Sequence, residues 1–139
     1  MIAVATHVEA LLKVTRAGYI MSVNYAHNAK VLKNLRQWAN DNLPIYGSYI
    51  GYDLAVQILE SSGSGKQTAL KEIYHSLPYS EPQLRRRLRQ FQRDGWISVE
   101  NNREDKRNFF VSPTEKMLLS YAEYFRLMTS LCYEMRTSS

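Results

Sequence analysis

The chain has 139 residues, of which 45% are hydrophobic and 22% are charged; this composition is that of one globular domain and excludes a disordered chain. No apolar run reaches the roughly 20 residues needed to cross a bilayer, and the first residues lack the features of a signal peptide, so a cytoplasmic protein without a membrane partner is expected. The net charge is +5, and residues 66–107 hold 10 of the 18 Lys and Arg residues but only 6 of the 13 Asp and Glu residues. Such clustering is typical of a surface that binds a polyanion.

The N-terminal part of the chain predicts two helices. A mostly helical spacing of apolar residues covers residues 5–25. A second helix is predicted over residues 28–42, with Asn28 as its N-cap and with Pro44 and Gly47 ending it. Its buried stripe comprises Val31, Leu32, Leu35, Trp38 and Ala39.

Two further helices are predicted before residue 79. Ser48 can cap the first of them, and the "SSGSG" stretch at residues 61–65 ends it. Its core-facing residues are Ile50, Leu54, Ile58 and Leu59. A short helix then fits residues 66–77 and is closed by Pro78.

The next helix carries most of the positive charge. Ser80 is a strong N-cap, Pro82 suits the first turn, and the helix is expected to end at about Asp94, before Gly95. The i, i+4, i+7 spacing of Leu84, Leu88 and Phe91 defines one core stripe. The rest of its surface carries Arg85, Arg86, Arg87, Arg89 and Arg93.

After Gly95 the pattern changes to that of a β-hairpin followed by a final helix. The strand-like runs "WISVE" and "RNFFV" are separated by the polar tip "NNREDK". Pro113 ends the second strand, and Thr114 can cap the last helix. That helix carries the apolar residues Met117, Leu118, Tyr121, Phe125, Met128 and Leu131.

A short helix, a turn, a basic helix and a basic hairpin together predict a winged helix-turn-helix. A helix fits the DNA major groove, while the Ser80 hydroxyl and the first-turn N–H groups can meet a backbone phosphate. The hairpin tip is expected to reach the neighbouring DNA backbone through Arg103, Lys106 and Arg107. Glu104 and Asp105 are expected to brace these long side chains.

These motifs resemble the DNA-binding part of the MarR family of bacterial transcription regulators over residues 70–116. The family's recognition helix is similar to "SEPQLRRRLRQFQRDGWI", and its wing is similar to "NNREDKRNFFVSPTEKM". The resemblance implies a dimeric DNA-binding regulator in which Ser80, Gln83 and Arg86 contact the groove and Arg107 is the wing contact. The family's wing usually has an acidic residue where Asn102 stands.

The expected fold is therefore mainly α with a small β-hairpin wing and with flanking dimerisation helices. Residues 1–45 are expected to form an N-terminal dimerisation segment, residues 46–113 the DNA-binding domain, and residues 114–139 a C-terminal helix that completes the dimer. Both flanking segments carry an apolar stripe that a partner chain would cover, so a homodimer is expected. The expected DNA-binding residues are Ser80, Gln83, Arg85, Arg86, Arg87, Arg89, Arg103, Lys106 and Arg107.

Other functions find less support in the sequence. "SGSGKQT" at residues 62–68 lacks the glycine and the hydroxyl positions of a phosphate-binding loop. The three histidines have no metal-ligand spacing, and Cys132 is expected to be a small buried residue. No nucleophile–base pair predicts an enzyme, and neither a cofactor nor a metal is expected. The ten tyrosines allow a pocket for a small aromatic effector between the helical layer and the winged core.

Two alternatives to a transcription regulator stay open at this point. A winged helix can use a basic face to bind an acidic protein partner. A plasmid or phage replication or partition protein could also use the same fold on double-stranded DNA.

Overall fold

The computed structural model describes residues 16–135 of the chain. Within these residues, six helices and three strands are arranged in the order α1 (Arg16–Ser22), α2 (Tyr25–Asn42), α3 (Tyr49–Gly63), β1 (Thr68–Ala69), α4 (Leu70–Ser76), α5 (Glu81–Arg93), β2 (Ile97–Asn101), β3 (Phe109–Pro113) and α6 (Glu115–Glu134). The fold is thus mainly helical with a small sheet, as the sequence predicts.

Helix α2 begins one turn earlier than predicted. Its N-cap is Asn24, whose side-chain oxygen accepts a hydrogen bond from the His27 N–H at 3.1 Å, and not Asn28. Both asparagines are suitable caps, and the apolar stripe begins only at Val31, so the stripe gives no signal for the first turn. Of the helix predicted over residues 5–25, α1 confirms the segment 16–22, and residues 5–15 lie outside the described part. The prediction is wrong at its end, because the chain leaves α1 after Ser22 and Asn24 caps the next helix.

The sheet has three strands in the order β1-β3-β2, all antiparallel. The hairpin of β2 and β3 is confirmed, with Val99 opposite Val111. The helix predicted over residues 66–77 is wrong at its start, because Thr68 pairs with Val111 and forms the added strand β1. Thr68 is buried, and pairing with β3 satisfies the hydrogen-bonding groups of its backbone. The local spacing of apolar residues cannot indicate this pairing, because the partner strand lies far along the chain.

The core lies between α3, α4, α5 and the sheet. Predicted core residues Leu54, Ile58, Leu84 and Phe91 are each 0% exposed. Gly51 permits the close approach of α3 to the preceding loop, because a Cβ there would lie 2.3 Å from the carbonyl oxygen of Ile45. The compact region of residues 48–114 is called the winged region below.

The helices α2 and α6 pack against each other beside the winged region. The rings of Trp38 and Tyr124 stack with centroids 5.9 Å apart, and Val31 is buried within the chain. Part of the α2 stripe that was expected to need a partner chain is therefore covered by α6. Large apolar side chains on these helices nevertheless stay exposed, among them Leu32, Leu118, Leu119, Phe125 and Met128.

Candidate nucleic-acid interface

The start of α5 is fixed by a capping box. The Ser80 N–H donates to Gln83 Oε1 at 3.1 Å, and the Gln83 N–H donates to Ser80 Oγ at 3.4 Å. Both side chains are exposed at the first turn, as predicted, and each accepts a hydrogen bond from the backbone N–H of the other residue. The cap therefore satisfies the N–H groups of Ser80, Gln83 and Leu84 within the chain, and Pro82 has no N–H, so the helix start offers side chains more than backbone donors.

Helix α5 divides into a buried and a basic face. Leu84, Leu88 and Phe91 form the buried face, as the spacing predicts. Arg86 and Arg89 lie on the exposed side and form no hydrogen bond or ion pair with any residue in the range 16–135. These two guanidinium groups are therefore free to bind a ligand in solution.

The other two predicted arginines of α5 are held against the protein. Arg85 forms an ion pair with Glu81, one turn earlier, and its guanidinium carbon lies 5.7 Å from the ring centroid of Tyr74. Arg87 donates to Gln90 Oε1 at 2.7 Å and lies over the Tyr46 ring at 5.5 Å. Their contribution to an interface is thus mainly positive potential at the helix flanks.

The wing tip exposes Arg103, Lys106 and Arg107. The prediction that Glu104 and Asp105 brace these long side chains is wrong for the described residues, where neither carboxylate forms an ion pair. Asp105 instead accepts hydrogen bonds from the Arg107 backbone N–H at 3.0 Å and from the Asn108 side chain at 3.2 Å. The carboxylate shapes the loop backbone because a short acceptor side chain can bond to N–H groups two or three residues ahead.

A groove runs between α4, α5 and the wing. It is lined by basic side chains of all three elements, with an apolar floor that includes Leu88 and Val99. The basic residues are Lys71, His75, Arg85, Arg89 and Arg107. Lys71 and His75 are not among the residues predicted from the sequence, although their i, i+4 spacing on the polar side of α4 places them on one face.

A second cavity of about 500 Å³ lies between α2, α3 and α6. Its lining is largely apolar and aromatic, with Tyr52 and Tyr124 on its walls and with Arg36 and Asp53 as charged groups. Next to these tyrosines, the buried hydroxyl of Tyr121 has no hydrogen-bond partner among the described residues. Burial raises the pKa of that hydroxyl well above its ordinary value. This is the location at which the sequence allows an aromatic effector.

The loop at residues 62–66 has no free backbone donors for a phosphate. The N–H groups of Ser64, Gly65 and Lys66 donate to the carbonyl oxygens of Glu60, Ser62 and Ser61, respectively. A phosphate-binding loop needs such N–H groups to point at the ligand. The glycines of this loop therefore serve a turn that ends α3.

The remaining reactive side chains do not form a site within residues 16–135. No cluster of His, Cys, Asp and Glu there could hold a metal ion. The Nε2–H of His27 donates to the carbonyl oxygen of Glu134 at 2.6 Å, which joins α2 to the end of α6. Cys132 lies on the last turns of α6 and is exposed, contrary to the prediction. Within the same range, no helix is both long enough and apolar enough to cross a membrane.

Comparisons with known proteins find similarity in structure but not in sequence. No protein-family model matches the chain, and no curated protein matches it. A MarR-like transcription regulator from Bacillus cereus superposes with a TM-score of 0.52 at 16% identity, covering 79% of this chain and 77% of its own. AbfR, in a structure bound to DNA, gives a TM-score of 0.52 at 21% identity, with 73% of each chain covered.

A third similar structure is that of the heme sensor protein PefR in complex with heme and carbon monoxide. It gives a TM-score of 0.57 at 14% identity and covers 74% of this chain and 69% of its own. At these identities the comparisons establish the fold. The chain has the winged-helix fold of MarR-type transcription regulators.

Proposed function

We propose that the protein is a transcriptional regulator, acting as a repressor, that binds a specific double-stranded DNA sequence as a homodimer in the cytoplasm. In this proposal residues 46–113 bind DNA, and residues 1–45 and 114–139 pair with the same segments of a second chain. The proposed DNA-binding set is that predicted from the sequence, extended by Lys71 and His75.

One observation carries the proposal: α5 places the free guanidinium groups of Arg86 and Arg89 opposite its buried stripe, next to a basic wing. A helix that enters the major groove needs its reading side chains on the face away from the core. Arginine is the commonest reader of guanine, because its two donors match the O6 and N7 acceptors. The structure of AbfR bound to DNA supports the same use of the fold here.

The groove between α5 and the wing supports a path for the DNA backbone. Lys71 and His75 of α4 face Arg85, Arg89 and Arg107 across it. The first helix of a helix-turn-helix crosses the backbone while the second lies in the groove. Phosphates in this position would be contacted from both helices and the wing.

The exposed apolar side chains of the flanking helices support a homodimer. Phe125 is 55% exposed and Leu118 is 47% exposed on α6, while Met21 is 81% exposed on α1. A second copy of these helices would cover such a surface by two-fold symmetry. Pairing would set two α5 helices about 34 Å apart, so the expected target is a palindrome.

The cavity between α2, α3 and α6 supports regulation by a small aromatic molecule. Tyrosine rings on its walls favour an aromatic partner, and Arg36 favours a negative group on it. The complex of PefR with heme supports the binding of a planar molecule by a protein of this fold. We propose that such an effector modulates DNA binding.

The test of the proposed function is a selection of bound duplexes from a random pool, followed by affinity measurements on Arg86→Ala. A bidentate arginine–guanine contact is worth about 1–3 kcal/mol, so the variant should lose preference at one base position and keep its thermal stability. Lys33→Ala, which removes one exposed positive charge from α2, is the matched control. An unenriched pool would contradict the proposal, and an equal loss on every duplex would make Arg86 a phosphate contact.

A second candidate function is binding to an acidic protein partner, which is favoured by the apolar floor of the α4–α5–wing groove. Leu88, Val99 and Phe109 line it beneath the basic side chains. A salt titration with duplex DNA and with an acidic peptide separates the two functions. Tight binding of the peptide alone would favour the protein partner.

A further inference from the structure

Both ends of α5 are joined to other parts of the chain by a tyrosine–aspartate hydrogen bond. Tyr79 stands immediately before the N-cap residue Ser80, and its hydroxyl donates to Asp53 Oδ2 on α3 at 2.5 Å. At the other end, the hydroxyl of Tyr46 donates to Oδ2 of the C-cap residue Asp94 at 2.6 Å. These two pairs connect α5 to segments 26 and 48 residues away in sequence.

Tyr46 is held in an unusual backbone conformation to make its contact. Its φ of 54° lies in the left-handed region, the only such non-glycine residue within 16–135. Its ring centroid is 5.7 Å from that of Phe91, and the guanidinium of Arg87 covers it. A residue stays in this region only when its surroundings fix it, and such residues concentrate at functional positions.

Both tyrosine hydroxyls keep their protons, which allows them to donate these hydrogen bonds. Burial, together with the carboxylate of Asp94, raises the pKa of the Tyr46 hydroxyl above its ordinary value. The hydrogen bond to Asp53 likewise raises the pKa of the Tyr79 hydroxyl. Each hydroxyl is therefore a neutral donor to a carboxylate, and such charge-assisted bonds are stronger than neutral ones.

We propose that Tyr79 and Tyr46 are positioning residues that set the orientation of α5 on DNA, an inference that rests on the proposed function. Base contacts require Arg86 and Arg89 to lie in one register with the base edges, whereas attraction to phosphates depends mainly on charge. Loss of either pair leaves the charge of α5 unchanged and loosens one end of the helix. The pairs therefore control discrimination between sequences more than total attraction to DNA.

The same pairs connect α5 to the cavity between α2, α3 and α6. Asp53 lines that cavity and accepts the Tyr79 hydroxyl, while Ile45 and Gly47 line it on either side of Tyr46. A molecule in the cavity that bonds to Asp53 would compete with Tyr79 for the carboxylate. Asp53→Ala imitates the loss of that pair, and Asp53→Asn keeps an acceptor oxygen.

The experiment compares affinities for the selected duplex and for a random duplex in Tyr46→Phe, Tyr79→Phe and the wild type. Each variant loses one hydroxyl, and a hydrogen bond to a charged group corresponds to about a tenfold change in an equilibrium constant. The ratio of the two affinities should fall about tenfold in each variant, with the random-duplex affinity unchanged. Tyr133→Phe, which removes the hydroxyl of a tyrosine that is 87% exposed, is the matched control.

Two further measurements separate positioning from stability. Urea unfolding confirms that each variant is folded at the assay temperature, so a loss of discrimination cannot come from unfolded chain. Asp53→Ala should lose discrimination between the duplexes as Tyr79→Phe does. The double variant Asp53→Ala/Tyr79→Phe should lose no more than either single variant, and Asp53→Asn should retain part of the discrimination. Equal losses on both duplexes, or additive losses in the double variant, would overturn the proposal.

Hydrogen exchange in the free protein tests the pairs without DNA. Amides at the first turn of α5 should exchange faster in Tyr79→Phe, and amides at its last turn should exchange faster in Tyr46→Phe. The control Tyr133→Phe should change neither. Unchanged exchange at both ends would overturn the positioning role, whereas a wild type that discriminates between no duplexes would overturn the proposed function itself.

Discussion

The winged region buries most of its apolar side chains in one core, while the flanking helices contribute few residues to that core and leave many of their apolar side chains in solvent. Helix α5, with 13 residues, buries Leu84, Leu88 and Phe91, whereas α6, with 20 residues, buries only Met117 and Tyr121. Both helices are amphipathic, so the difference comes from their neighbours. Helix α5 has α3 and the sheet against it, whereas α6, among the described residues, contacts mainly α2 and strand β3.

The contrast indicates that the two regions depend on different partners for their stability. The winged region is complete within one chain, and its stability should not depend on protein concentration. The described parts of the flanking helices leave large apolar side chains exposed, so the stability of these helices should rise with concentration if a second copy covers them. Four predictions test this difference.

The largest expected effect is on the core of the winged region. Phe91→Ala removes a ring that is 0% exposed and should lower the free energy of unfolding by about 3–5 kcal/mol. Urea unfolding at two protein concentrations measures the loss, which should be the same at both. Leu119→Ala on α6 is the control and should cost far less, because Leu119 is 63% exposed. A small loss for Phe91→Ala would contradict a self-contained core.

The second prediction breaks the flanking surface. Phe125→Glu places a charge on the exposed apolar side of α6 and should give a monomer in light scattering. DNA affinity should fall about 100-fold or more, because two linked α5 helices bind far better than one. Asn34→Glu adds the same charge at an exposed polar position of α2 and should change neither property. A wild type that is monomeric at micromolar concentration would contradict the homodimer.

The third prediction concerns the wing, which is the most exposed part of the winged region. Replacing Lys106 and Arg107 by alanine should weaken binding to specific and random duplexes alike. The slope of log affinity against log salt should shrink by about 0.9 for each phosphate contact that is lost. The control replaces Lys30 and Lys33 of α2, which removes the same charge elsewhere. An unchanged slope would place the wing away from the DNA.

The smallest expected effect lies at the junction of the two regions, where the Tyr121 hydroxyl is buried without a partner among the described residues. Tyr121→Phe removes an unsatisfied polar group and should keep or raise the free energy of unfolding at pH 8, by about 1 kcal/mol at most. A loss of more than that would show that the hydroxyl has a partner in the folded protein.

The same variant has a pH signature. Burial raises the pKa of Tyr121 in the folded protein above the value near 10.0 that an exposed tyrosine has. Above that pH the unfolded chain releases a proton that the folded chain keeps, so the wild type should lose stability as pH rises. The stability that the neutral, buried Tyr121 hydroxyl contributes is therefore fully present below pH 10 and is lost as the pH rises above it. Urea unfolding at pH 8 and pH 11 should show a smaller decline for Tyr121→Phe than for the wild type, and an equal decline would contradict this assignment.

Much of α5 and the wing could be predicted because their signals are local. The cap at Ser80, the apolar stripe ending at Phe91 and the turn at Gly95, whose φ is 79°, all depend on residues within one or two helical turns. The winged-helix fold followed from the order of these elements. The roles of the site residues stay predictions, because the sequence assigns them only by resemblance and by position on the helix.

The errors in the sequence analysis came from contacts that a local pattern does not contain. Strand β1 is only two residues long and exists because Thr68 and Ala69 pair with β3, more than 40 residues later. Cys132 was expected to be buried because of its residue type, but its side chain is exposed in the described part of the chain. Asp105 was expected to brace the basic side chains of the wing tip. In the folded loop its carboxylate instead accepts a hydrogen bond from the backbone N–H of Arg107.

The sequence by itself determined where α3 and α5 begin and end, which faces they bury and where the positive charge lies, because those properties depend on residue type and helical spacing. The tertiary structure alone decided which arginines are free, Arg86 and Arg89, and which are held, Arg85 and Arg87. It also decided that Tyr46 and Tyr79 bond to Asp94 and Asp53. The physical reason is that these contacts join residues from separate elements, whose distances are set by core packing and not by spacing along the chain.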